Sequence, residues 1–573
     1  MIMTLQDECI TNELRPPHQV LSGNDMNGAW ATRHSFARTM LRRAAARRWT
    51  VRKTHLDFDS QGRGTAIYTI DAEGRRLSFI AFSRTLEESE RTDRVIAEAW
   101  DVTAALVEGD LTPEREGTLR RNVPIQEHGR FDADTIILTR ANRSARFFDY
   151  VSDCLAHGHQ PDPEKIGPSP YLIRSTAFYG NGKFGLKEFA DIPDDHPLSV
   201  PYRSQMLAAW LLRELSMDMV EHVACAKASE AGSQAEALDK SWSRYLGLGN
   251  ATGLGMVPFV INHPRYLDAW CRLRETPLAT SLSRSYAPED ADLNRVADFL
   301  VQADRHLAEK SALNTEPFLD ASRIRPQLRI LLADLRSFIR SSEAPQPVLA
   351  RLHDKASQLG TEARGIFASI AIELRSDFDE EAEAILKVPG LEPFDASMPC
   401  SELQLLLDTN YGWIRSFDFT TSERTGYCWF SSEANEEPRR GLRSEKHPET
   451  VEHCTDIARR ISNMASDLEG FPTHSSLAEF LRAFPHHRFA AARAQQTRDH
   501  LYAELQDNLL DSQFLPLSTQ RFQLATYGMN NFSPQSTDWL RVTLFSGAPR
   551  VGDINREDAD DLLFPLAPEG SKP

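Results

Sequence analysis

"WTVRKTHLDFDSQGRGTAIYTIDAEGRRLSFIAFS", residues 49–83, shows three extended runs separated by two turn signals. Thr54, Leu56 and Phe58 alternate with charged residues, and the run GTAIYTI follows a glycine-rich break. A turn at Asp71–Gly74 then reverses the chain into RLSFIAFS. Period-two alternation bounded by Gly and Asp predicts an antiparallel meander. Residues 34–48 before it read as a helix. An acid-rich helix over 88–108 is expected after it, closing at Glu108–Gly109, where glycine suits a helix C-cap.

A related order recurs later. SELQLLLDTNYGWIRSFDFTTSERTGYCWFSSE, residues 401–433, reads as a helix and then strands, with Trp413, Arg415, Phe417 and Phe419 alternating. Trp49, Arg52 and Gly64 align with Trp413, Arg415 and Gly426, and Tyr179–Gly180 aligns with Tyr527–Gly528. Two readings stand: a worn internal duplication, or chance likeness in a common helix-then-meander order. The expected class is α+β, with two similar helix-plus-antiparallel-meander halves around a helical centre. Its segments are a 1–32 extension, a 33–198 first half and a 199–285 central helix with a glycine-rich loop. A 286–398 helical bundle, a 399–550 second half and a 551–573 tail follow.

Composition narrows the function. A chain of 573 residues exceeds one compact core, so several domains of roughly 100–200 residues are expected. Net charge is −17 and no basic groove is visible, which disfavours nucleic acid, since phosphate contacts need clustered Lys and Arg. Cysteines 9, 154, 225, 271, 400, 428 and 454 form no C-x-x-C pair or zinc spacing, which points to a reducing compartment. The start, MIMTLQDECITNELRPP, lacks an apolar signal core, and no apolar run is long enough to span a membrane. The expected setting is the cytoplasm. Residues 33–53 carry seven Arg and one Lys and read either as a docking face or as an amphipathic surface helix.

Two glycine clusters suggest chemistry. YGNGKFG, residues 179–185, fails the P-loop pattern, because Phe184 stands where a Ser or Thr should bind magnesium. GLGNATGLG, residues 247–255, fails the dinucleotide pattern at Thr252. What remains is the ability of glycine loops to bring backbone N–H groups close to an anion, against the plainer reading of tight turns. His263 precedes Pro264 and reads as a helix N-cap, where its neutral form is favoured. It could instead serve as a proton acceptor. On the 203–227 helix Glu214, Asp218, Glu221 and His222 form a polar stripe: either a solvated face or half of a metal site. Arg439 lies in a charged loop able to clamp a carboxylate. His157–His159 and His486–His487 read as exposed pairs.

The resulting expectation is an enzyme acting on a small anionic metabolite, a carboxylate, by acid/base chemistry without an organic cofactor: a lyase, isomerase or hydrolase. Tyr179, Lys183 and His263 would be catalytic. Arg174, Gly180, Asn181, Asn250, Thr252, Gly253 and Arg439 would hold substrate. No metal is expected, unless at Glu214, Asp218 and His222. The rivals are a metal-dependent enzyme at those three residues, or a non-catalytic scaffold.

Overall fold

A computed structural model describes residues 14–21, 25–26, 28–85, 101–125, 134–167, 170–179, 192–193, 195–200, 202–251, 264–311, 320–380, 382, 394–416, 427–430, 439–442, 451–503, 516–534, 540–556 and 562–568. The chain forms two compact units. A sheet unit comprises Trp30–Thr252, Ala287–Ala344 and Leu524–Pro573, and a helical unit comprises Met1–Ala29, Gly253–Tyr286 and Pro345–Gln523. The stretch 286–398 is therefore divided between them. No helix among the described residues is long and apolar enough to cross a membrane.

The sheet unit is built on the meander. Strands β1 (Thr50–Phe58), β2 (Gly64–Ala72) and β3 (Arg75–Ser83) pair in antiparallel sequence. Glu73 and Gly74 sit at φ 50° and 84° between the paired Ala72 and Arg75. That is the left-handed two-residue turn whose twist matches a hairpin. The expected helix at 88–108 is corrected at its described end: Val102–Glu108 is strand β4, paired with β3. Its run VTAALV is buried on both faces, so it lacks the polar stripe of a surface helix, and β3 and β5 (Thr135–Arg143) supply its backbone partners.

Strands β6 (Tyr171–Tyr179) and β7 (Gly247–Ala251) follow. The sheet then borrows β12 (Leu540–Leu544) and β11 (Met529–Pro534) from the chain's end, in the order β1-β2-β3-β4-β5-β6-β7-β12-β11. All neighbours are antiparallel except β6 and β7. Helix α1 (Phe36–Ala46) precedes the meander; Phe36, Arg38, Met40 and Leu41 are buried, while Arg43 reaches Glu73. The arginine-rich stretch is thus partly core, and its charges do not form one face. Helix α2 (Phe148–Ala156) packs on α3 (Arg203–Glu230), which lies against β5, β6 and β7.

In the helical unit, α4 (Pro264–Ser283) packs on α5 (Val348–Leu359) and α6 (Thr361–Glu373). The break between α5 and α6 falls at Gly360. Strands β8 (Tyr427–Phe430), β9 (Arg439–Leu442) and β10 (Val451–His453) form a small sheet in the order β10-β8-β9. The duplication is not confirmed. Trp413 and Arg415 lie in a 3-10 turn, Gly412–Ser416, whereas Arg52 lies in β1. The strand orders of the two regions also differ.

The N-terminal segment reaches α6 through a glycine pair: a Cβ on Gly365 would fall 1.5 Å from the Gly28 carbonyl oxygen. Gly365→Ala should therefore force the two backbones apart and destabilise the helical unit by about 3 kcal/mol. Chemical denaturation should show a lowered midpoint; an unchanged midpoint would mean that this contact does not form.

Candidate functional site

The sequence-predicted residues fall in three places. Strands β6 and β7 run side by side and parallel, with Arg174 opposite Gly249 and Ser175 opposite Asn250. Arg174 is half-buried and one register step from the buried Asn250, whose Nδ2 donates to Ser175 Oγ at 3.0 Å. Tyr179 ends β6. Gly180, Asn181, Lys183, Thr252, Gly253 and His263 lie outside the described residues. Gly247–Ala251, expected as loop, is strand, and glycine there serves packing: a Cβ on Gly249 would meet the Tyr171 ring at 2.5 Å. Arg439 opens β9 in the helical unit and pairs with Phe430.

The acids of α3 are not a solvated stripe. Glu214 and Asp218 are buried, and all four of their oxygens accept protein donors. Arg550 Nε donates to Glu214 at 2.8 Å and its Nη2 to Asp218 at 2.9 Å. Lys53 Nζ and Tyr68 OH reach Asp218 at 3.0 and 2.7 Å, and the Val551 amide reaches Glu214 at 3.2 Å. Burial pushes the Glu214 carboxyl up despite Arg550, and burial followed by the Asp218 charge pushes the Tyr68 phenol up. His222 Nε2 bonds the Phe58 carbonyl oxygen at 2.7 Å, so that nitrogen carries its proton. These groups tie α3 to the meander and to the C-terminal segment. A metal would have to displace their present partners.

The helical unit holds the feature that sequence reading missed. On α4, Leu267, Trp270, Cys271, Arg274 and Leu278 all face the core, and Arg274 is only 5 % exposed. An arginine thus occupies a core position of an otherwise apolar stripe, which is the one signal the sequence offered. Its neighbours are paired: Arg15 donates from Nε and Nη2 to Glu275, both at 2.7 Å, and Arg364 pairs with Asp25. Arg274 has no such partner. Its Nε lacks a hydrogen bond, and no ion pair forms on its guanidinium among the described residues.

One turn earlier, the buried Trp270 indole N–H has no partner among the described residues, and its ring packs edge-on against Phe522 at 4.9 Å. His353 of α5, 7 % exposed, has an unpartnered Nε2. Its pKa is pushed down to about 3, first by burial and then by the charges of Arg15, Arg364 and Arg274. Burial likewise lowers Arg274, with Glu275 opposing it. Burial, then the Glu275 charge, pushes the Cys271 thiol up, so it is no ready nucleophile. Among the described residues, Arg15 and Arg364 each pair with a carboxylate, Glu275 and Asp25, whereas Arg274 pairs with none and feels Glu275 and Asp25 only through their charge. Such a cluster can take up one negative charge.

Comparison of the chain with protein-family models, with curated proteins and with solved structures finds no match.

His353 gives the cluster a pH signature. Folded, its imidazole stays neutral down to about pH 3, whereas its ordinary value is 6.5. Between those values the unfolded chain holds one more proton, so stability falls as pH drops below 6.5, by about 1.4 kcal/mol per unit for this group. Denaturation at pH 7 and pH 5 should show a smaller acid loss in His353→Gln than in the parent. Equal losses would show that this histidine is not held neutral.

Proposed function

We propose that the protein binds a small monocarboxylate in its helical unit, with the Arg274 guanidinium as anchor. The observation that carries this reading is the buried Arg274, whose Nε lacks a hydrogen bond and which forms no ion pair among the described residues. Leaving a cation buried and unpaired is costly, and a planar guanidinium matches a carboxylate through two parallel N–H···O bonds. The Trp270 indole N–H supplies a second donor nearby, and the neutral His353 offers a polar contact to the rest of the ligand. A monoanion balances the single surplus charge, whereas a phosphate dianion would overshoot it.

A second reading keeps the acid/base enzyme at the sheet: a cytoplasmic lyase, isomerase or hydrolase of a small carboxylate working without an organic cofactor. One observation favours it. Because β6 and β7 are parallel, the chain leaves both strands at the same end of the sheet, after Tyr179 and after Ala251. Ligands of open sheets commonly bind at the carboxyl ends of parallel strands. In this reading Arg174 and Lys183 hold the anion, Asn181 and Thr252 orient it, and Tyr179 or His263 moves the proton; Asn250, on the face of Ser175, is turned away from Arg174.

Calorimetric titration with acetate, lactate and succinate, and with sulfate as control, separates the two. Carboxylate affinity should fall tenfold or more in Arg274→Met, the loss of a charge-assisted contact of about 1.5–3 kcal/mol. Loss in Arg174→Met instead would move the site to the sheet unit. Unchanged affinity in Arg274→Met would refute the helical-unit reading.

A further inference from the structure

A different corner of the helical unit brings together three metal-ligating side chains, and the case for it is independent of the carboxylate site. Asp467 lies in the last turn of α7 (Cys454–Glu469). His486 and His487 form the short turn Pro485–His487 that follows α8 (Leu477–Ala483). One ligand atom from each of the three residues lies within 4.8 Å of the others. We propose that these residues bind a divalent transition ion of the zinc class, one per chain, with coordination positions left open to solvent.

The local sequence explains why the turn is held. A capping box between Ser476 and Glu479 fixes the start of α8. Phe480 stacks on the His487 ring at 5.7 Å with planes 5° apart, and Phe471 packs edge-on against Phe480. His487 is 2 % exposed and cannot swing away, which corrects the expectation that both histidines are exposed. His486 has a side chain 65 % exposed, and its Nε2 lies 3.9 Å from the Asp467 oxygen that His487 Nε2 bonds at 2.7 Å.

A simple His–Asp hydrogen bond would account for His487 and Asp467 alone. It gives no reason for a second imidazole, with ring centres 3.9 Å apart, to sit beside the same carboxylate oxygen. Two imidazoles and a carboxylate suit zinc, cobalt, nickel or copper rather than magnesium or calcium. Tetrahedral zinc holds its ligand atoms roughly 3.3 Å apart, so the present spacing needs only small shifts. The ion would replace the proton that His487 Nε2 shares with Asp467, and that proton would move to Nδ1 or to solvent. The exposed side at His486 leaves room for water or a substrate group.

Titrating the chelator-treated full chain with Co²⁺ reads this directly through visible d–d absorption, with Zn²⁺ as competitor. One Co²⁺ per chain is expected, displaced by Zn²⁺. His486→Ala, which removes an exposed side chain and should leave the fold intact, should weaken binding about tenfold or more. Asp467→Asn should weaken it as well, and circular dichroism shows whether that variant remains folded. No d–d band in the parent protein would overturn the proposal. So would Co²⁺ binding of unchanged affinity in His486→Ala.

Discussion

A guanidinium taken out of water must be met by acceptors, and the fold is largely organised by how that demand is answered. Arg213 of α3 is fully buried and is answered by backbone alone. Its Nε donates to the Leu246 carbonyl oxygen at 2.7 Å, while its terminal nitrogens donate to those of Ser243, Ala548 and Pro549 at 2.6, 2.8 and 3.1 Å. With no carboxylate bonded to it, burial pushes its pKa down to about 9, still charged at neutral pH. Arg15 and Arg521 are answered by bidentate carboxylates, Glu275 and Glu362. Arg274 alone among these receives no answer from the described residues, and the functional reading follows from that gap.

The same logic explains how the chain's end is held in the sheet unit. Arg213 fixes Ala548 and Pro549 to α3, and the next residue, Arg550, is clamped by Glu214 and Asp218 one helical turn apart. Together these contacts seat the segment after β12 against α3, while β12 pairs with β7. Breaking one partner of such a buried pair costs far more than the pair contributes, because the remaining charge stays desolvated. The Glu214–Asp218 stripe therefore looks like a ligand set in sequence and acts as a structural tie in space.

The legible parts of the fold were those governed by local pattern. The 50–83 meander and its Glu73–Gly74 turn follow from alternation and turn chemistry, and the helix read over 203–227 is found as Arg203–Glu230. Val102–Glu108 was misread because a strand buried on both faces has no alternation to show. Joining β11 and β12 to β7 is a long-range pairing that no local signal announces. Of the candidate site residues, register sets Asn250 beside Ser175 on one face of the sheet and leaves Arg174 on the other, whereas Arg439 belongs to the other unit. Arg274 was passed over because an arginine in a helix ordinarily marks a solvated face. Its neighbours at 267, 270, 271 and 278 mark that face as core.

If Arg274 is an unanswered buried charge, the ligand-free protein carries it at a cost to stability. The most direct measurement compares urea unfolding of the parent and Arg274→Met, both dialysed free of carboxylates. Methionine keeps much of the apolar stem and removes the charge, and replacing buried ionic groups by well-packed apolar ones can stabilise by about 1–4 kcal/mol. A higher midpoint is expected for the variant without ligand, and the loss of that advantage when a bound carboxylate stabilises the parent. A variant less stable than the ligand-free parent would mean that Arg274 is already satisfied, and would contradict the account.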